Sequence, residues 1–284
     1  MFLERAVERL CHNCSGSFNL CFRSVRAIIL SSITTYWRHL AIILIISLFV
    51  SLIPSIGLYL WLKNKVRQPS DDAYRASCKS ALLNGFLSTL FALVCSGILA
   101  LIGGLAGLDR NSTLLGAAYH TIIVLAFSEE LMKSLMLKKT LDNVDYPYTW
   151  LDMIILMTVV ALGFEIIETG IDAFLSSPMQ LIVRGVTIMH GGYGFIEGWF
   201  YGKACRTGKK GYMVAGFAIA WILHGLYDFG LSPIFETVGE YYALLSVSIA
   251  IFALVLAICM VVFFARKKKQ EYLEPLVTVQ KSEA

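Results

Sequence analysis

Long apolar runs closed by short polar stretches dominate the chain. Runs over about 40–62, 81–108, 114–137, 150–174, 181–201, 212–230 and 242–265 each approach or exceed the roughly 18–20 apolar residues that cross a hydrocarbon core. None shows the alternating short-strand pattern of a membrane barrel, and in lipid only helices or closed barrels satisfy the backbone. The pattern predicts an all-α, polytopic transmembrane helix bundle of about seven spans. An eighth is left open by residues 27–62, where "IILSSITTYW" is short and polar for a span. Composition agrees: the chain of 284 residues is 57% hydrophobic and 15% charged, against about a quarter charged in soluble domains. Its mean hydropathy is +0.69.

The charges that remain report topology. Lys63, Lys65, Arg67, Arg75 and Lys79 lie between the first two runs; Lys138 and Lys139 follow the third; Lys203, Arg206, Lys209 and Lys210 follow the fifth; "ARKKKQ" follows the last. The opposite loops are nearly bare, so the positive-inside rule places the protein in the cell membrane with a cytoplasmic C-terminus. Seven spans would then put an arginine-bearing N-terminus outside, and its side is left open. The net charge of +4 lies mostly in loops and indicates no nucleic-acid partner. No cleavable signal peptide is evident in "MFLERAVERLCHNC". Three regions are expected: a basic, interfacial tail over 1–39, a membrane domain over 40–265 and a polar cytoplasmic tail over 266–284. Cys11, Cys14 and Cys21 cluster in the first. "CHNC" resembles half a zinc ribbon without its second pair, and an interfacial amphipathic segment accounts for it more simply.

Inside the spans the chain places residues that cost roughly 2.5–3.5 kcal/mol each at a helix centre. Span three holds Glu129, Glu130 and Lys133; span four Glu165, Glu168 and Asp172; span five Arg184, His190 and Glu197; span six His224 and Asp228. Spans one, two and seven have essentially none. Confinement to four consecutive helices points to one polar cavity among spans three to six. Glu130 and Lys133 are i,i+3 and share a face; Glu165, Glu168 and Asp172 form a stripe; His224 and Asp228 are i,i+4. Glu129 and Glu130 diverge by about 100° and so have different tasks. At about 1.5 Å per residue, Glu168 and His224 lie about 9 Å from the outer end of their spans, His190 about 13 Å and Glu129 about 23 Å. Starting span three near residue 118 narrows that gap. Some members have simpler roles: an interhelical hydrogen bond for His120, an interfacial ion pair with Lys203 for Glu197, and a solvated position for Asp172. Glu165 is undecided.

"EELMK" (Glu129, Glu130, Lys133) resembles the EExxK motif of PrsW-type intramembrane proteases. "LGFEIIE" (Gly163, Phe164, Glu168), "RGVTIMH" (Arg184, His190) and "HGLYDF" (His224, Asp228) resemble the further motifs, in order. The resemblance covers about residues 48–230, with distant similarity to CAAX prenyl endopeptidases and bacteriocin-processing enzymes. Thr169 stands where many relatives have Asn. The resemblance implies hydrolysis of a membrane-anchored protein within the bilayer, as in regulated proteolysis of an anti-sigma factor.

Amide hydrolysis needs an activated water, a polarised carbonyl and a proton for the leaving amine, and two imidazoles with a carboxylate can hold a metal. On this reading Glu168, His190 and His224 surround a divalent metal, expected to be Zn2+, or the water itself. Glu129 or Glu130 is the general base, Lys133 fixes the other, and Asp228 supports His224 or the oxyanion. A metal-free glutamate and histidine mechanism uses the same residues. No serine or cysteine nucleophile motif is present. Two other readings stand beside it: a transporter or proton relay, disfavoured because internal repeats and paired broken helices are not evident, and a non-catalytic scaffold that binds transmembrane helices. The glycines at 191, 192, 194 and 198 are expected to permit close packing or entry of a substrate segment.

Overall fold

Helix ends and glycine contacts explain how the chain encloses polar groups within an apolar bundle. The structure, a computed structural model, describes residues 18–65, 72–110, 113–143, 148–174, 177–232, 234 and 240–267. Their elements are α1 (Phe18–Lys65), α2 (Asp72–Leu105), α3 (Leu114–Asn143), α4 (Trp150–Asp172), α5 (Pro178–Thr187), α6 (Met189–Thr207), α7 (Gly211–Gly230) and α8 (Glu240–Arg266). No strand occurs among the described residues, as the apolar pattern predicts. The protein is a multi-pass, all-helical membrane protein.

Helix α4 is the axis of the bundle. Its start is set by a capping box: Thr149 Oγ1 accepts from the Asp152 amide at 3.2 Å, and Asp152 Oδ2 accepts from the Thr149 amide at 2.6 Å. Such caps are worth about 1 kcal/mol. Within the apolar part of α4, 83% of residues are buried, against 22–39% in the other five long apolar helices. The lipid-facing helices therefore carry exposed leucines, isoleucines and phenylalanines, while α4 is covered by protein. Two helices reach it through glycines. A Cβ on Gly85 of α2 would collide with the Val160 carbonyl, and one on Gly198 of α6 would sit 2.8 Å from Ile154 Cα. Small residues allow this backbone approach where lipid offers no hydrophobic drive between helices.

Among the described residues, six helices are long and apolar enough to cross a membrane. The span expected over 181–201 is instead two helices, α5 and α6, broken at Ile188, whose backbone is left-handed (φ 46°, ψ 48°). A β-branched residue rarely adopts that conformation, and such strain concentrates at functional sites. Hydropathy averaged over the run is blind to one dihedral. Helix α5 starts with Pro178 after Ser177, which shares a capping box with Gln180. It lies against α1, where the Ser51 hydroxyl donates to the Leu181 carbonyl at 2.7 Å. In α3 the segment Tyr119–Phe127 is π-helical, a geometry frequent at functional sites, and ordinary α-helix resumes at Ser128 beside Glu129.

Helix α1 runs unbroken from Phe18 through the expected boundary at 39/40, with Ala41–Asn64 as its membrane-crossing part. Cys11 and Cys14, and the tail beyond Lys267, lie outside the described residues.

Candidate active site

The four helices singled out by their ionisable residues converge. Lys133 is fully buried on α3. Its Nζ donates to Glu130 Oε1 at 2.8 Å, lies 2.8 Å from His190 Nδ1 and sits 4.3 Å from the centre of the Phe164 ring. Glu130 Oε1 also lies 2.7 Å from His224 Nδ1. One buried ion pair on α3 thus braces an imidazole from α6 and another from α7.

Partner chemistry assigns the tautomers. An ammonium group only donates, so His190 Nδ1 accepts from Lys133 and its Nε2 carries the hydrogen, 2.5 Å from Glu168 Oε2. An ionised carboxylate only accepts, so His224 Nδ1 donates to Glu130. His224 Nε2 then turns toward Asp228 Oδ2 at 3.3 Å and Glu129 Oε2 at 3.8 Å. The expected division between the adjacent glutamates has a structural counterpart. Glu130 Oε1 is shared by Lys133 and His224, whereas Glu129 stands off at 3.8 Å from His224. The Oε2 atoms of both glutamates are buried with no hydrogen-bond partner among the described residues.

Arg184 on α5 closes the outer side. It pairs with Glu168 Oε1 at 2.5 Å and with Asp172. Asp172 is therefore an ion-pair partner rather than a solvated residue. Side-chain exposure rises outward: 0% at Glu130 and Lys133, 3% at both histidines, 12% at Glu129, 18% at Glu168, 24% at Asp228 and 31% at Arg184. The polar groups form a path that opens on one side.

Three contacts lay beyond the sequence reading. Glu165, for which the sequence assigns no role, is buried and accepts from Ser55 Oγ of α1 and from the Gly191 amide of α6, both at 3.2 Å. A carboxylate at the first turn of α6 suits the exposed amides and positive dipole end there, and it anchors the helix one residue from His190. Glu197 is not an interfacial partner of Lys203. It is fully buried and accepts from the Ser134 hydroxyl of α3, a partner 63 positions away that no local spacing reveals. Tyr193 stacks on His224 with ring centroids 5.0 Å apart, and its i,i+3 relation to His190 was the available signal. His120, expected in an interhelical hydrogen bond, has no partner on Nδ1 among the described residues.

Donor atoms from Glu129, His190 and His224 lie within 4.8 Å of one another. A tetrahedral zinc with bonds of about 2.0–2.1 Å needs its donors about 3.4 Å apart, so after modest closure this group could hold a metal. His224 fits directly, because a carboxylate on Nδ1 leaves Nε2 free as donor. His190 fits once Lys133 shifts from Nδ1, which frees the ring to exchange tautomers. Glu168, grouped with the two histidines on sequence grounds, lies against His190 and is held by Arg184.

Neither curated proteins nor solved structures give a significant match to this chain. The family model described as PrsW family intramembrane metalloprotease matches residues 75–265, about two thirds of the chain, and includes every residue of the converging group. By that match and the four motifs it contains, the chain belongs to the PrsW family of intramembrane metalloproteases.

Proposed function

We propose that the protein is an intramembrane endopeptidase that hydrolyses a peptide bond of a membrane-anchored protein, with Glu129 as the base that activates water. The observation that carries this is the contrast between the two glutamates. Glu130, fully buried, is held through one oxygen by both Lys133 and His224, while Glu129 lies on the more exposed side, 3.8 Å from the Nε2 edge of His224 and without so close a partner.

His190 and His224 would supply two donors to a divalent metal. Although Glu129 completes the group whose donors already lie within 4.8 Å, in this reading Glu168, beside His190 at 2.5 Å, would supply the third, which leaves Glu129 for the water. Zn2+ would suit these nitrogen and oxygen donors. Such an ion, when bound, polarises the carbonyl and makes water a better nucleophile. The chain's own groups do the rest. Glu129 takes a proton from the attacking water and returns it to the leaving nitrogen. The Glu130–Lys133 pair fixes both imidazoles, and Asp228 holds His224 from the other side. Close packing at Gly194 and Gly198 against α4 keeps the α6 wall rigid.

The basic ends of α1, α3, α6 and α8 lie on the cytoplasmic side by the positive-inside rule. The outward path past Arg184 and Asp228 then opens on the opposite face, where a substrate segment beside the lipid would enter. Regulated release of a signalling factor, such as cleavage of an anti-sigma factor, is the setting the family resemblance suggests. Co-expression with a panel of single-span reporters tests the reading: the wild type cleaves a reporter, while Glu129→Gln, His190→Ala and His224→Ala insert normally and do not. Undiminished cleavage by all three variants overturns it. Ion flux through the wild type without any cleavage supports a transporter instead, and helix binding without cleavage supports a scaffold.

A further inference from the structure

Tyr193 follows His190 by one helical turn on α6 and is fully buried. Its ring lies nearly parallel to His224, at 5.0 Å and 20°, and edge-on to His190 at 6.3 Å and 78°. The phenol therefore belongs to the wall made by the two imidazoles. Its oxygen is buried without a hydrogen-bond partner among the described residues. An unsatisfied buried hydroxyl costs stability and is rare in folded proteins. Phenylalanine would give the same stacking without that cost, so packing alone does not account for the hydroxyl.

The cationic donors of the site and the His190 ring are already committed. Lys133 is engaged with Glu130 and His190, Arg184 with Glu168 and Asp172, and the His190 Nε2 hydrogen faces Glu168. A peptide carbonyl that gains negative charge during attack needs a donor not already occupied.

We propose that Tyr193 is a further catalytic residue, whose O–H donates a hydrogen bond to the scissile carbonyl oxygen as it becomes an oxyanion. The inference rests on the hydrolase reading above. As the water oxygen bonds to the carbonyl carbon, the carbonyl π electrons move to oxygen and Glu129 takes the water's proton. Tyr193 keeps its own proton and stabilises the oxyanion. On collapse the C=O bond re-forms, the C–N bond breaks, and the nitrogen takes the proton from Glu129.

Tyr193→Phe is a clean test because it removes only the unpartnered atom. The probe is the single-span, fluorophore–quencher peptide cleaved fastest by the purified wild type in phosphatidylcholine vesicles. Removal of one such donor typically lowers kcat by about 10²–10³-fold, and that is the expected result, with KM and Co2+ binding unchanged and Tm equal to the wild type or raised by loss of the unsatisfied hydroxyl. Tyr193→Leu, which also removes the stacked ring, is expected to lower Tm as well. Wild-type kcat in Tyr193→Phe, or a fall in its Tm that reveals a structural hydrogen bond, overturns the inference and leaves the hydrolase reading intact. Failure of the wild type to cleave any peptide in the panel overturns the hydrolase reading and this inference with it.

Discussion

Lys133→Met tests whether the buried pair on α3 is the brace of the site. Lysine and methionine have similar length, so the substitution removes charge and hydrogen bonds with little change in volume. It leaves Glu130 fully buried with His224 as its remaining partner at 2.7 Å. Breaking a buried ion pair by removing one partner costs about 3–5 kcal/mol. The cation over Phe164, at 4.3 Å, adds about 2 kcal/mol when desolvated, partly recovered by the methionine sulfur against the same ring. The expected loss is about 5 kcal/mol. Glu130→Gln with Lys133→Met restores about 2–3 kcal/mol of it, because the glutamine oxygen still accepts from His224 and no buried charge remains unpaired. Stability is read from denaturant titration in mixed micelles followed by circular dichroism. A loss below about 1 kcal/mol in Lys133→Met, or a double variant as unstable as the sum of the singles, refutes the reasoning.

Two further outcomes follow from the packing around α4 and α6. Glu165→Ala frees the first turn of α6 and leaves the Ser55 hydroxyl without its acceptor, at a cost of about 1–3 kcal/mol. It also lowers kcat through misplacement of His190, whereas Glu165→Gln, which keeps an acceptor for the Gly191 amide, retains more activity. Gly163→Ala would drive a Cβ into the Leu82 carbonyl and lower stability by about 1–3 kcal/mol. Gly170→Ala, with nothing within 4 Å of the added carbon, is neutral or stabilising by up to about 1 kcal/mol; equal Tm values for the two variants would contradict the packing described.

The sequence shows the bundle and the membership of its polar group, because hydropathy and charge cost act locally along each helix. Glu130 with Lys133 and His224 with Asp228 were legible from spacing of three and four residues. The partnership between these pairs, through His224 Nδ1 and His190 Nδ1, depends on how three helices pack, and spacing within a helix carries no record of it. The same holds for Glu197, whose acceptor role depends on Ser134 of another helix. The break at Ile188 is hidden for a different reason: "VRGVTIMH" carries no proline to mark an interruption, and the new helix is supported from outside, by Glu165 at the start of α6. The π-helical stretch that precedes Glu129 is equally hidden, since nothing in the apolar run Tyr119–Phe127 departs from an ordinary helical pattern.

The most direct measurement is a paired comparison of purified Glu129→Gln and Glu130→Gln, with kcat, bound metal and Tm determined for each against the wild type. The account predicts that Glu129→Gln loses at least about 10²-fold in kcat while retaining wild-type metal content and Tm. Glu130→Gln is predicted to lower Tm, because Lys133 loses its carboxylate partner. Wild-type turnover by Glu129→Gln, with activity abolished in Glu130→Gln at unchanged Tm, would contradict the assignment.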